Sequence, residues 1–261
     1  MIGWLRRGGK EAHVSAAGSA EAACGLPFRT DLHAHLIPGI DDGSPDMATS
    51  LELLEGLREL GYRRVVLTPH VMADSYRNST ERILEGRDRL REAAAERGLE
   101  LEIYAAAEYY LDEEMMRRLD AGDLLCIGEE RFVLFETSYY NEPLALEERI
   151  YELTGRGYRP LLAHPERYRY VRDPEGFYGN LRRMGVALQV NINSLGGCYG
   201  DDARRKAHWL AERGWIDFLG SDLHGRKHLE CLRATVGSEI FARYTAGNLL
   251  LNDTLRFGES I

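Results

Sequence analysis

Short runs of hydrophobic residues alternate with amphipathic segments along this chain from residue 28 onward. Seven of the runs have the length and composition of β-strands. The predicted strands are Thr30–His35, Val65–His70, Leu101–Ala105, Arg131–Phe135, Pro160–Ala163, Val186–Val190 and Trp215–Leu219. Predicted helices lie between them and after the last strand, at 44–61, 78–98, 112–120, 144–156, 174–184, 201–213, 228–245 and 247–255.

Local signals define the ends of the first two helices. Ser44 is the predicted N-cap of the first helix, with Pro45 at its first position, and Gly61 is expected to stop it. The segment Asn78–Glu81 is expected to start the second helix.

Strands that alternate with helices predict an α/β fold with parallel pairing. Seven such units favour a closed or nearly closed barrel, and an open doubly wound sheet is the alternative. No linker or repeat divides residues 28–261, which we therefore expect to form one domain. Residues 1–27 are rich in Gly, Ala and Ser and are predicted to form a flexible N-terminal extension.

Composition narrows the functional classes. The net charge of −9 over 261 residues argues against non-specific nucleic-acid binding. No apolar run is long enough for a transmembrane segment, and the N-terminus does not resemble a signal peptide. The four cysteines are widely spaced without a CxxC motif, which predicts no disulfide framework and favours a reducing cytoplasm.

Polar residues that can bind metal ions follow nearly every predicted strand. His33 and His35 stand at positions i and i+2, which point the same way in a strand. The complete set at strand ends is His33, His35, His70, Glu108, Glu136, His164, Asp222 and His224. Imidazoles and carboxylates hold Zn, Mn or Fe, and catalytic groups of β/α barrels collect at the carboxyl ends of the strands. The pattern therefore predicts a metalloenzyme.

Other candidates are more ambiguous. The segment Asp41–Asp42–Gly43 is either a simple turn or a loop that returns one carboxylate to the cluster. The remaining histidines (His13, His208 and His228) suit a surface interpretation.

These motifs, taken together, resemble the polymerase and histidinol phosphatase (PHP) superfamily. Within it the match is to the bacterial tyrosine-protein phosphatases of capsule and exopolysaccharide operons, the CpsB/YwqE type. The matching blocks are Asp31–His35, Gly39–Gly43, Thr68–His70, Ala107–Tyr110, Phe135–Glu136, Ala163–Tyr168, Gln189–Asn191 and Ser221–His224. The resemblance implies a distorted (β/α)7 TIM-like barrel, the PHP fold.

The resemblance also implies three divalent metal ions, usually Mn, with Fe and Zn as alternatives. By the family pattern, the first ion takes His33, His35, Glu108 and Asp222. The second takes Glu108, Glu136 and His164, with Glu108 as the bridge. The third takes Asp42, His70 and His224.

The expected reaction is hydrolysis of phosphotyrosine by a metal-activated hydroxide. Arginine makes bidentate contacts with phosphate oxygens, and Arg167 and Arg226 lie close in sequence to His164 and His224. Tyr109, Tyr110, Tyr139, Tyr140 and Tyr168 either line an aromatic pocket or pack in the barrel. The family points to a tyrosine kinase of polysaccharide export as the substrate.

Several rival functions share features with this chain. Cys198 and Arg204 have the C-x5-R spacing of a cysteine-dependent phosphatase, but two carboxylates between them would repel phosphate. A carbamylated-lysine amidohydrolase is excluded, since no lysine lies between Lys10 and Lys206. Activity of the histidinol-phosphatase type and a non-catalytic, metal-bound regulator stay as alternatives. The sequence leaves open the metal identity, the phosphoprotein, the general acid and the oligomeric state.

Overall fold

The computed structural model describes residues 26–258 and has the alternating order of elements that the sequence predicts. The strands are β1 (Thr30–Ala34), β2 (Arg64–Leu67), β3 (His70–Val71), β4 (Glu102–Ala105), β5 (Glu108–Tyr110), β6 (Phe132–Glu136), β7 (Arg159–Ala163), β8 (Ala187–Asn191) and β9 (Phe218–Gly220). The helices are α1 (Met47–Leu60), α2 (Thr80–Glu96), α3 (Glu113–Ala121), α4 (Leu146–Gly155), α5 (Pro174–Arg183), α6 (Ile192–Leu195), α7 (Asp201–Glu212), α8 (Arg226–Val236) and α9 (Glu239–Gly247). The extension predicted at 1–27 lies, up to residue 25, outside the described residues.

The strands pair in parallel, as predicted for an α/β fold. One sheet has the order β1-β2-β4, and the other has the order β3-β5-β6-β7-β8-β9. β3 and β5 follow β2 and β4 after short breaks. The second predicted strand is therefore divided into two segments, and β5 lies beyond the predicted end of the third strand at Ala105. Pro69 lies in the first break, where it has no N–H to give to a ladder.

The first and last strands are joined just beyond the end of β9. The Asp222 N–H donates to the His33 carbonyl at 2.8 Å, and the His35 N–H donates to the Leu223 carbonyl at 3.0 Å. These bonds place the chain segments that carry His33, His35 and Asp222 side by side.

Both faces of the strands are buried against apolar side chains. One cluster combines strand residues such as Val65 and Leu162 with the apolar sides of the helices. The other consists largely of strand residues on the opposite face, including Leu32, Leu161 and Phe218. This two-sided burial explains why the strands are almost continuously hydrophobic in the sequence.

The start of α1 differs from the prediction. The helix begins at Met47, and its N-cap is Asp46, whose carboxylate accepts the Thr49 N–H at 2.8 Å. Ser44 is instead buried and donates its hydroxyl to the Asp46 carbonyl. Gly61 ends the helix with φ of 104°, and that prediction is confirmed.

The C-terminal helices also differ from the prediction. The segment 228–245 forms two helices, because α8 ends before Gly237 and the Ser238 side chain caps α9. The helix predicted at 247–255 is wrong. Asn252 is buried there, and its amide donates to the carbonyls of Thr30 and Leu219, which holds this segment in a turn against β1 and β9.

One cysteine pair departs from the sequence interpretation. Cys198, after α6, and Cys231, on α8, are placed as a disulfide with Cα atoms 6.6 Å apart. Spacing along the chain did not indicate this pairing, because 33 residues separate the two cysteines. None of the helices within 26–258 has the length and apolar character needed to cross a membrane.

Gly43 should be essential for the turn after β1. A Cβ atom at this position would lie 2.1 Å from the His35 carbonyl oxygen, a backbone atom with little freedom to move. We expect Gly43→Ala to lower the free energy of unfolding by about 1–3 kcal/mol. Urea denaturation of the metal-free protein would measure the change.

Gly155→Ala is the matched control, because a Cβ atom added there would meet no atom within 4 Å and the backbone is helical. It should change stability by less than about 1 kcal/mol. Equal stability of the two variants would contradict the steric argument.

Candidate metal centre

The nine predicted metal-binding residues lie together, at the ends of β1 and β6, at the starts of β3 and β5, and in the segments that follow β1, β7 and β9. Each has a ligand atom within 3.9 Å of a ligand atom of another member of the set. The nine are His33, His35, Asp42, His70, Glu108, Glu136, His164, Asp222 and His224. Three overlapping groups can be distinguished within this cluster.

The first group contains His33, His35, Glu108 and Asp222, all nearly inaccessible to solvent. The Nε2 atoms of the two histidines are 3.1 Å apart, and the Glu108 Oε2 atom lies 3.2 and 3.3 Å from them. The Asp222 Oδ1 atom lies 3.5 Å from each Nε2. Ligands bound about 2.0–2.2 Å from one ion are separated by roughly 3 Å, so these four atoms fit a common metal ion.

The second group surrounds the other oxygen of Glu108. Its Oε1 atom lies 2.8 Å from the His164 Nε2, and the Glu136 Oε2 atom lies 3.9 Å from the same nitrogen. His70 Nδ1 lies 3.2 Å from Glu108 Oε2 and 3.2 Å from Glu136 Oε1, yet it is buried and makes no hydrogen bond. A shared ion would satisfy this nitrogen, and a carboxylate between two groups fits a bridging role.

The third group is looser and more exposed. Asp42 Oδ1 lies 3.4 Å from His70 Nε2 and 3.6 Å from His224 Nε2, and its side chain is 55 % exposed. The His35 ring stacks on His224 at a centroid distance of 3.9 Å. His70 therefore directs one nitrogen to Asp42 and the other to Glu108 and Glu136, whereas the family pattern assigns it to the third ion alone.

Asp41 orients the ligands of two groups. Its buried carboxylate accepts a hydrogen bond from His35 Nδ1 at 2.8 Å and another from the His70 N–H at 3.1 Å. The sequence left the Asp41–Asp42–Gly43 segment open between a turn and a ligand loop. In the structure, Asp42 faces two histidines and Asp41 holds the imidazole of His35.

The motif Gln189–Asn191 matched the family without a predicted role, and its amide side chains on β8 form a hydrogen-bonded chain. Gln189 Oε1 lies 2.7 Å from His33 Nδ1, and Gln189 Nε2 donates to Asn191 Oδ1 at 2.9 Å. Asn191 Nδ2 then donates to Asp222 Oδ2 at 2.6 Å. The available signal was two amides at i and i+2 in a buried strand, because buried polar side chains require partners.

Glu166 is a second residue that the sequence did not single out. It is fully buried, and its carboxylate accepts the Asn191 N–H at 3.0 Å and the Ser194 hydroxyl at 2.6 Å. Burial raises its pKa above the ordinary value. Glu166 thereby ties the turn after β7 to the end of β8.

The electrostatics of the cluster favour cations. Burial lowers the pKa of His33, but Glu108 and Asp222 outweigh this effect and bring it to about 9. Similar competition between burial and nearby carboxylates raises the pKa of His70 to about 10 and that of His224 to about 9. Glu108 is buried, yet His33, His70 and His164 hold its pKa well below the usual range. Without metal, imidazolium protons therefore neutralise these carboxylates.

The structure brings Arg167 to the cluster. Its Nη1 donates to Asp222 Oδ2 at 3.0 Å, and its guanidinium lies 4.7 Å from the ring centre of Tyr139 and 4.4 Å from that of Tyr199. Burial opposes the charged form, but Asp222 raises the pKa of Arg167 above its usual value. The result is a fixed cation between two aromatic rings.

Arg226 has a different environment. It is the first residue of α8, its side chain is 61 % exposed, and its guanidinium donates to both oxygens of Glu52, at 2.7 and 2.5 Å. Its phosphate role remains a prediction.

Four of the five predicted tyrosines divide between a cavity and the core, and Tyr110, on β5, is half-buried. Tyr139 and Tyr140 line a cavity of about 590 Å³ together with Arg167 and Tyr199. Tyr109 and Tyr168 are buried, and their hydroxyls bond to the backbone. Tyr199 was not among the predicted pocket residues.

The C-x5-R pair does not form an anion cradle. Cys198 is paired with Cys231, and Arg204 donates to Asp201 at 2.9 Å. This geometry agrees with the rejection of a cysteine-dependent phosphatase.

Comparisons with known proteins identify the family of this chain. The family model described as "Capsular polysaccharide synthesis, CpsB/CapC" matches residues 29–236. The tyrosine-protein phosphatase YwqE of Bacillus subtilis is 30 % identical over 197 residues, which cover 76 % of this chain and 78 % of YwqE. The tyrosine-protein phosphatase CpsB of Streptococcus pneumoniae is 26 % identical over 199 residues, covering 74 % of this chain and 82 % of CpsB.

A solved structure from the study of Bacillus subtilis YwqE and Streptococcus pneumoniae CpsB, described there as metal-dependent tyrosine phosphatases, is similar as well. It superposes with a TM-score of 0.74 at 26 % identity, covering 88 % of this chain and all of the other. The resemblance seen in the sequence motifs is thus confirmed, and the chain belongs to the CpsB/CapC family of capsular polysaccharide synthesis proteins.

Proposed function

We propose that this chain is a metal-dependent protein-tyrosine phosphatase. The observation that carries the proposal is the convergence of nine ligand side chains, most of them buried, beside the fixed guanidinium of Arg167. The named activity of YwqE and CpsB supports the same reaction here.

We propose three divalent ions in the three groups, most readily Mn, although Fe and Zn accept the same donors. The donor set supports metal: the Nε2 atoms of His33 and His35 lie 3.1 Å apart, and each has an oxygen of Glu108 and one of Asp222 within 3.5 Å. The buried His70 Nδ1 likewise faces oxygens of Glu108 and Glu136 at 3.2 Å. When bound, such ions neutralise phosphate charge and lower the pKa of water from about 16 to about 7, which supplies a hydroxide nucleophile.

The chain's own residues would bind and orient the phosphotyrosine. Arg167 can offer a planar pair of donors to phosphate oxygens, and its contacts with Asp222, Tyr139 and Tyr199 limit its motion. The same two tyrosine rings border the cavity into which a phenyl ring would enter. Arg226 is proposed as a second phosphate contact, which it can make only when Glu52 releases it.

We further propose that residues 28–261 form one domain with a distorted seven-stranded TIM-like barrel. The backbone bonds between the β1 and β9 segments and the apolar cluster enclosed by strand residues support closure. With β2 and β3 counted as one strand, and β4 and β5 as another, the carboxyl ends of the seven strands would then surround the three groups of metal-binding residues.

The proposed substrate in the cell is a phosphorylated tyrosine kinase of polysaccharide export, and the proposed compartment is the cytoplasm. The family's description as capsular polysaccharide synthesis proteins supports a substrate that acts in that synthesis.

The phosphatase proposal predicts Mn-dependent phosphate release from a phosphotyrosine peptide after chelator treatment and metal restoration. His35→Ala should reduce kcat by at least about 100-fold, because His35 contributes to the first group and contacts the third. Cys198→Ser and His208→Gln should retain activity, since neither residue belongs to the cluster. A malachite-green assay with phosphoserine peptide and histidinol phosphate in parallel measures selectivity.

Turnover of histidinol phosphate alone would instead indicate an activity of the histidinol-phosphatase type. Bound Mn without turnover of any ester would contradict the phosphatase and favour the non-catalytic regulator.

Arg167→Lys should lower kcat/KM for phosphotyrosine by about 10- to 100-fold, because lysine lacks the planar fork that makes two parallel hydrogen bonds. Arg226→Lys is the matched comparison. It should lower kcat/KM less than Arg167→Lys does if Glu52 retains the Arg226 guanidinium. Steady-state kinetics on one peptide gives both values. An unaltered kcat/KM in Arg167→Lys would remove Arg167 from the site.

Metal binding should release protons. Histidines with a raised pKa hold their protons below about pH 9, and an ion must displace them, so affinity should rise as pH rises from about 6 to about 8. We expect more than about a tenfold gain over this range. Calorimetry in two buffers of different ionisation enthalpy counts the protons, and a buffer-independent enthalpy would contradict the expectation.

A further inference from the structure

A second cavity adjoins the one that contains Arg167. It has a volume of about 510 Å³ and shares Arg169 and Asp202 with its neighbour. Its lining residues are Arg169, Val171, Arg172, Pro174, Asp202, Arg205, Lys206 and Trp209. We call this cavity, defined by those residues, the basic groove.

The charge of the basic groove is opposite to that of the whole chain. Four of its lining residues are cations and one is a carboxylate, although the chain carries a net charge of −9. Asp202 is bonded to Arg205 at 3.0 Å and to Lys206 at 3.0 Å, so this one acid is already paired. The surplus positive charge favours an anionic ligand.

The cations of the basic groove differ in their freedom. Lys206 is buried and donates to the Tyr168 carbonyl at 2.6 Å, which fixes its amino group. Arg169 is held at its backbone N–H by the Tyr139 carbonyl at 2.7 Å, and its guanidinium lies 5.3 Å from the Tyr140 ring centre. Arg172 is exposed, and within residues 26–258 no ion pair engages it. Arg172 is thus available to a ligand.

The groove also adjoins the proposed reaction site. Arg167 contacts the cluster through Asp222, and Arg169, two residues on, lines both cavities. A peptide whose phosphotyrosine ring enters between Tyr139 and Tyr199 would have neighbouring residues near the groove.

We infer that the basic groove binds an anionic side chain, a carboxylate or a second phosphate, next to the phosphotyrosine of the substrate. This inference rests on the proposed phosphatase function, whose substrate it narrows to acidic phosphotyrosine segments. Arg172 makes the principal charge contact, while Arg169 and Lys206 set the local positive field.

Equilibrium binding tests this inference without requiring turnover. Fluorescent peptides would carry a non-hydrolysable phosphonate analogue of phosphotyrosine, flanked by glutamates, by glutamines or by a second phosphonate. Anisotropy with the Mn-loaded full chain should give a Kd for the glutamate peptide about three- to tenfold below that of the glutamine peptide. Added salt should reduce the difference.

Arg172→Glu should remove or reverse this preference. Arg89→Glu is the matched control, because Arg89 is an exposed arginine on α2, which lines neither cavity. Preference for the second phosphonate alone would assign the anion to phosphate. Equal affinity for all three peptides, or an equal loss in Arg89→Glu, would overturn the inference.

The phosphatase assay separates the two proposals. Charge-dependent binding without hydrolysis of the natural phosphotyrosine ester would contradict the phosphatase proposal and leave the groove as an anion-binding site. Hydrolysis of the phosphotyrosine ester, with no effect of flanking charge on peptide affinity, would contradict only the inference about the basic groove.

Discussion

The buried carboxylate of Glu108 is the interaction on which the rest of the site depends. Its two oxygens lie within 3.3 Å of nitrogen atoms from His33, His35, His70 and His164. An isolated charge at this depth would cost several kcal/mol, so it requires positive charge from protons or metal ions. Protons on the surrounding imidazoles supply that charge, or metal ions that displace those protons would supply it.

The fold brings these groups together because parallel strands end at one edge. β3, β5, β6 and the turn after β7 each deliver one of the nine side chains, the turn after β9 delivers two, and β1 with the loop that follows it delivers three. Two supporting arrangements then fix their orientations: the Asp41 carboxylate and the amides of Gln189 and Asn191. The ligands therefore need little rearrangement when an ion binds.

Much of this arrangement could be read from the sequence, for a physical reason. Hydrophobic runs and the polar residues that follow them are local features, and parallel pairing places such endings together. The strand endings and the HxH spacing are therefore enough to identify eight of the nine candidates, whereas Asp42 was assigned only through the family resemblance.

The features that escaped prediction depend on contacts between distant residues. The Asn252 amide replaces a predicted helical turn by bonding to Thr30 and Leu219. His70 belongs to two groups because Asp42 lies beside its Nε2 atom and Glu136 lies beside its Nδ1 atom. The pairing of Cys198 with Cys231 likewise has no local signal.

The seam between the first and last strands has a consequence for how the chain acquires its site. The His33 and Asp222 backbones are bonded across this seam, and the Asn252 amide secures it from both sides. A chain emerging from the ribosome would hold His33 and His35 long before Asp222 and Asn252 are made. The proposed first ion site can therefore be completed only after nearly the whole chain is synthesised, and we expect its full set of ligands to mark a late stage of folding.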